Sequence, residues 1–272
     1  MQESLFSTLH TADADKERTF EPPYYIGTGG WNYSDWLENF YPSYLDESRW
    51  IEFYATKFPA IEIDSTFYNI PRESSVRRWR DLTPDNFTFT AKVPRIITHE
   101  KQIDPSCFDI LTDFVQRMSI LGEKLGPLLL QFPPSFSPEY FQRLHDFLPH
   151  LPADFRFALE VRDPRWLTQD FYTLLRANNV ALTLVDSARM PKKSIITADF
   201  TYIRWLGDSR DRLTDFSHTQ IDRTTDLRAW ATVMLKKFQK KNLDIYGFFN
   251  NHYAGFSPGS IELLYSLVSE ID

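Results

Sequence analysis

Three short segments alternate apolar with polar residues and carry charge near their ends: Ala60-Ile61-Glu62-Ile63-Asp64, Phe89-Thr90-Ala91-Lys92-Val93 and Leu159-Glu160-Val161-Arg162. Alternate side chains of a strand face one way, so Glu62, Asp64, Lys92, Glu160 and Arg162 share the non-apolar faces of their strands. In one sheet these charges converge. A buried charge is costly unless paired or hydrogen-bonded, so such a set points to a site rather than to packing. The chemistry it supports is general acid–base catalysis, in which a carboxylate beside a lysine relays a proton and arginines hold an anionic group in bidentate fashion. Lys92 leads as the proton-transfer group, because a lysine taken out of water gives up its proton more easily. Glu62 and Glu160 would assist it, and Arg162 with Arg204 would hold the anion. The plainer alternative is a ring of structural ion pairs, and the two readings are compatible.

The elements that must position these residues follow a βα pattern from Tyr24 onward. Strands are expected near 24–28, 60–66, 87–93, 127–132, 156–162, 180–186, 200–207 and 243–250. Amphipathic stretches lie between them at Arg49–Phe58, Ser74–Leu82, Phe108–Leu125, Glu139–Leu148, Thr168–Ala177, Asp226–Lys241 and Ser260–Ile271. Eight such units make a single (βα)8 TIM-type barrel, a parallel eight-stranded core with outer helices. The sixth unit is irregular, since Ser187 to Thr197 has no convincing helix and contains Pro191. An open doubly wound sheet would show a glycine fingerprint running from the first strand into a helix. Here Gly27-Thr28-Gly29-Gly30 leads instead into Trp31-Asn32-Tyr33-Ser34-Asp35-Trp36, a lining loop in appearance. The domain is expected to span residues 24–272, with residues 1–23 as an N-terminal arm.

Active sites of such barrels lie at the carboxyl ends of the strands. The candidates there are Thr28, Glu62, Asp64, Lys92, Gln131, Glu160, Arg162, Asp186, Arg204 and the pair Asn250-Asn251, with Trp205 and one asparagine free to face outward. Arg162 is expected near Asp186. His99 and His252 fall just after strands, but neither HExxH nor HxH spacing occurs, so no metal and no cofactor is expected. Of the aromatic residues at the loops (Trp31, Tyr33, Trp36, Phe67, Tyr68, Trp166, Trp205 and Tyr253), Trp31 and Tyr68 are the expected ligand contacts, able to stack on sugars or bases. The clusters Arg77-Arg78-Arg80 and Lys236-Lys237-Lys240-Lys241 read as solvated helix faces, and Cys107 reads as packing.

A net charge of -7 weighs against a general nucleic-acid or anionic-membrane binder. One cysteine in 272 residues leaves no intramolecular disulfide, which fits a reducing compartment, and cytoplasm is the expected location. No apolar run of about 18 residues marks a membrane span, and Met1 to Pro23 lacks the apolar stretch of a secretory signal.

Several of these runs resemble the YecE-like family, a domain of unknown function. They are Gly27 to Tyr33, Ile61 to Tyr68, Lys92-Val93-Pro94, Thr98-His99, Leu129 to Pro134, Leu159 to Arg162, Pro164 to Trp166, Arg204 to Gly207 and Phe249 to His252. The resemblance runs from about residue 24 to the end of the chain. It implies a TIM-type barrel, similar in fold to endonuclease IV and xylose isomerase, and no established activity. The chain departs from the family pattern at Gly29 or Gly30 (a usual serine), Asp64 (a usual asparagine), Asp163 and Leu206 (positions where histidine is common). Two histidines fewer at the mouth weigh against a metal. The matched polar set is Glu62, Lys92, Glu160, Arg162, Arg204 and Asn250. Three functional expectations follow: an enzyme acting on a small anionic or sugar-like substrate, a nucleic-acid phosphodiesterase or binder, and a non-catalytic ligand-binding barrel.

Overall fold

In the computed structural model of this protein, residues 23–208 and 213–271 are described, so nearly all of the expected arm, 1–23, lies outside the described residues. Eight parallel strands close into a barrel in sequence order. They are β1 Tyr24–Gly29, β2 Ala60–Ile63, β3 Thr88–Lys92, β4 Leu125–Gln131, β5 Phe157–Glu160, β6 Ala181–Ser187, β7 Phe200–Gly207 and β8 Asp244–Phe249. The outer helices are α1 Trp50–Ala55, α2 Glu73–Asp81, α3 Phe108–Met118, α4 Phe141–Phe147, α5 Gln169–Ala177, α6 Thr224–Val233 and α7 Ser257–Ile271. No helix joins β6 to β7. Pro191 removes a donor from the connecting segment, which is the irregularity expected of the sixth unit.

Strands covered on both faces read as near-continuous apolar runs, and Leu128-Leu129-Leu130 on β4 is such a run. Inside the barrel, small and large side chains fill the lower layers. Ala60, Ala158 and Ala181 share a cluster with Leu129, Phe200, Tyr202, Tyr246 and Phe248. Tyr25 stacks on Tyr246 at 4.7 Å between ring centroids. The larger core lies between strands and helices, where Trp36, Tyr54, Phe114, Trp166 and Trp205 are buried.

Several boundaries fall short of the sequence expectation, each for a local reason. β2 stops at Ile63 rather than 66, because Asp64 opens a 3-10 turn over Ser65–Phe67 whose Thr66 hydroxyl donates to the carbonyls of Ile63 and Lys92. β5 stops at Glu160 rather than 162, since Asp163 caps the turn Pro164–Trp166 through the Arg165 amide. Arg162 therefore sits on the turn after the strand. The expected helix 108–125 ends at Met118 and the next turn kinks at Gly122, φ 61°. The expected helix 226–241 passes into a π-turn at Met234–Phe238 and stops at left-handed Asn242, φ 53°.

The junction of β1 and β2 is shaped by Tyr54 of α1. Its hydroxyl accepts from the Thr28 amide at 2.9 Å and donates to the Ala60 carbonyl at 3.1 Å. Thr28 Oγ1 meets the same hydroxyl at 2.9 Å. Thr28 thus faces the helix layer, which corrects its expected inward direction. A Cβ placed on neighbouring Gly27 would lie 1.8 Å from the Ala60 carbonyl oxygen. Backbone cannot yield that distance without parting the strands. Gly27→Ala is accordingly expected to cost about 3 kcal/mol or more, read as a lowered urea midpoint; an unchanged midpoint would contradict this account of the junction.

Candidate functional site

Above the aromatic layers, the inward positions turn polar. Arg204 on β7 is buried and stands between two buried carboxylates: its Nη2 donates to Glu62 Oε1 at 2.8 Å and its Nη1 to Glu160 Oε2 at 2.6 Å. Gln131 Oε1 lies 3.4 Å from the same Nη1. Tyr202, two residues before Arg204 on the same strand face, donates its hydroxyl to Glu62 Oε2 at 2.7 Å and meets Thr90 Oγ1 at 3.1 Å. The alternation that exposes Glu62 and Glu160 in sequence is thus the barrel's own inside-outside period.

Lys92, at the end of β3, extends this array toward the mouth. Its Nζ is 2.6 Å from Asp64 Oδ1 and 3.8 Å from Glu62 Oε1. On the other side Arg162 Nε donates to Glu160 Oε1 at 3.1 Å, and its side chain stays 40% exposed. Gly29 makes room for these groups, since a Cβ there would come within 3.2 Å of Asp64 Oδ2. A cavity of about 470 Å³ opens above, lined by Lys92, Glu160, Arg162, Arg204, Asn250 and His252 among others.

The carboxylates differ in their electrostatics. Burial dominates at Glu62 and pushes its pKa up, against the pull of Arg204 and Lys92 and with the push of Asp64. Burial also acts on Glu160, but there Arg204 and Arg162 outweigh it and hold the carboxyl below the usual range. At Asp64 the same contest between burial and the cations, Lys92 first, ends on the low side. Arg204 is desolvated too, yet the two glutamates hold its pKa well above the ordinary value. Three cations thus face three carboxylates, and Glu62 is the carboxylate most easily neutralised.

Other expected site residues fall elsewhere. Asp186 does not face into the barrel: Val185 lies level with Arg204, so Asp186 points to the helix layer. There it accepts from Trp230 Nε1 at 2.8 Å and Tyr253 Oη at 3.2 Å and pairs with Lys192 at 2.9 Å, so the expected neighbourhood with Arg162 does not form. Of the two asparagines, Asn250 lines the cavity, whereas buried Asn251 turns to the Ser257 amide that starts α7. Trp31 packs edge-on against Trp79 of α2 at 5.9 Å, outside the cavity lining. Tyr68 is 67% exposed and meets Phe67 edge-on, also away from it. His99 bonds Thr98 Oγ1 and stands against Phe67; burial, then Arg162 and Arg95, keep its imidazole pKa low. Trp36, Trp166, Trp205 and Tyr253 are buried in the core. Among the described residues no three His, Cys, Asp or Glu side chains gather as a metal ion would need.

The sequence reading missed Arg189 and Met190, which line the cavity from the β6–β7 segment, and Val161, Val185 and Leu206 beside them. One signal did mark this segment: a connection without a helix at the active end of a barrel is a candidate lining loop.

The opposed carboxylates generate a test of the array. Glu160 and Asp64, whose pKa values are lowered by folding, contribute stability at neutral pH that is lost as pH falls below their ordinary values of 4.5 and 3.8. Glu62, whose pKa is raised, works the other way: stability falls as pH rises through its folded value. Glu160→Gln is therefore expected to cost about 3–5 kcal/mol at pH 7 by leaving Arg204 undercompensated, and Glu62→Gln distinctly less. Urea titrations across pH 3.5–7 read both: the Glu160→Gln loss should hold from pH 7 to pH 5 and shrink only below 4.5, whereas the Glu62→Gln effect should change as pH rises above 4.5; the same loss with the same pH course in both variants would contradict the assignment.

The family described as "Protein of unknown function DUF72" matches residues 25–271. UPF0759 protein YecE of Escherichia coli K12 is 34% identical over 145 residues, 53% of this chain and 50% of YecE. The chain thus spans about half the length of that relative. UPF0759 protein YunF of Bacillus subtilis is 24% identical over 259 residues, 85% of this chain and 89% of YunF. Two solved DUF72 structures share the fold: EF0366 of Enterococcus faecalis V583 has a TM-score of 0.73 at 21% identity, covering 90% of this chain and 95% of that one. TM1631 of Thermotoga maritima has a TM-score of 0.72 at 24% identity, covering 91% and 98%. With a matching family over nearly the whole barrel, and the barrel itself shared with solved members, this chain belongs to the DUF72 family.

Proposed function

We propose that the barrel mouth is the active site of an enzyme that carries out acid–base chemistry on a small anionic or sugar-like substrate. The observation that supports this most is the convergence of Lys92, Glu160, Arg162 and Arg204 on one cavity above a buried carboxylate–guanidinium array. The cavity's size is that of an ordinary small-molecule site. Arg162 uses only its Nε on Glu160, so its terminal nitrogens are available to an anionic group entering the mouth. Lys92 stands next to that position as the proton-transfer group, with Asp64 and Glu62 holding its ammonium in place. Glu160, kept ionised by two arginines, orients Arg162 and balances the positive charge that the anion meets. Glu62, buried beneath the cavity, anchors Arg204 and helps to hold Lys92.

A cytoplasmic setting is part of this reading, supported by Cys107, which is buried and free. No helix among the described residues is long and apolar enough to cross a membrane. The nucleic-acid reading draws less support, because neither ring expected to stack on bases lines the cavity: Trp31 packs against Trp79 and Tyr68 stands outside the lining.

Thermal unfolding against a panel of small carboxylates, phosphates and phosphorylated sugars tests the proposal. A ligand at about a hundredfold excess over its Kd adds about 2.7 kcal/mol, which corresponds to a rise of roughly 5 °C or more in Tm for a chain of this size. Arg162→Ala and Lys92→Met are expected to lose most of that rise. With a ligand in hand, turnover followed by NMR should disappear in Lys92→Met. Stabilisation that survives both substitutions would refute the site.

A further inference from the structure

The cavity joins a charged floor to an apolar flank. Its ion array comes from the ends of β3, β5 and β7, whereas Val185, Met190 and Leu206 form the wall of the apolar flank, with Arg189 beside Met190 at the rim. Val185 is decisive here. It occupies the inward position of β6 level with Arg204, so the wall begins at the same height as the ion array. The β6–β7 segment then continues the wall upward: Ser187 and Met190 form an antiparallel bridge, bringing Met190 back over the cavity. Lys192 holds the segment there, pairing with Asp186 at 2.9 Å and with Asp226 of α6 at 2.6 Å.

A substrate polar all round would press hydroxyls against Val185, Met190 and Leu206, side chains that offer no partner to replace water, and each such group is costly. A bare inorganic anion would satisfy the arginines and leave the wall wet. Both halves of the cavity are satisfied by a molecule with an anionic head and an apolar body. Resting on the enzyme reading above, we propose that this site takes an amphipathic organic anion, its head at Arg162 and Lys92 and its body against Val185, Met190 and Leu206. Lys192 is then a positioning residue for the wall.

The test is a homologous series measured by calorimetry on the unmodified protein: acetate, butyrate, hexanoate and octanoate, with hexyl phosphate to distinguish a phosphate head from a carboxylate and hexanamide as the uncharged control. Affinity is expected to rise roughly fourfold per buried methylene, with an increasingly negative heat-capacity change. Hexanamide is expected to bind much more weakly. Met190→Ser and Leu206→Asn should flatten the series without weakening acetate, and Lys192→Ala should flatten it too, whereas Arg162→Gln should weaken every anion. A flat series, with inorganic phosphate or glucose 6-phosphate binding as well as octanoate, would overturn this inference and leave the enzyme reading standing. No binding by any member of the series or by either phosphate would overturn both.

Discussion

One guanidinium held between two carboxylates inside the barrel governs the upper half of this protein. Arg204, Glu62 and Glu160 are all buried, so none of them tolerates the loss of its partners. Their demands fix what surrounds them. Tyr202, itself held by Thr90, satisfies the remaining oxygen of Glu62, Arg162 takes the remaining oxygen of Glu160, and Gln131 approaches from β4. Lys92 and Asp64 then join the array at its edge and carry it to the mouth. A site built this way is rigid at its floor, where the charges lock one another. Its freedom lies at the rim, where the Arg162 side chain stays 40% exposed.

The lower half of the barrel complements this floor. Alanines on β2, β5 and β6 make room for the rings of Phe200, Tyr202, Tyr246 and Phe248, which fill the interior below the ions. Burial of Glu62, Glu160 and Arg204 above that packing strengthens each interaction within the array. The missing helix of the sixth unit has a counterpart at the other end. Its segment is freed from covering the barrel's outside and folds over the mouth, supplying Arg189 and Met190 to the cavity.

Much of this was legible in the residues themselves. Strand alternation placed Glu62, Lys92, Glu160, Arg162 and Arg204 together, and the resemblance to a barrel family set the fold and the end of the barrel on which they meet. Reading failed where a parity or a turn was at stake. Asp186 sits one residue from the inward position, and a one-residue shift in a strand sends a side chain to the other layer. Trp31 and Tyr68 lie on loops next to polar strand ends, but sequence proximity does not say whether a loop ring turns to the cavity or packs against a neighbouring helix. Arg189 was missed because nothing in an irregular segment's composition says where it folds back.

By itself, then, the sequence determined the class of fold, the layer of charge and most members of the site, because hydrophobic period and buried charge are local properties that each strand carries alone. Only the tertiary structure decided who pairs with whom: that Arg204 bridges Glu62 and Glu160 across the barrel, that β6 offers valine rather than aspartate, and that the helixless connection closes one wall. These depend on register between strands distant in the chain, and register is settled by the closure of the whole barrel rather than by any single segment.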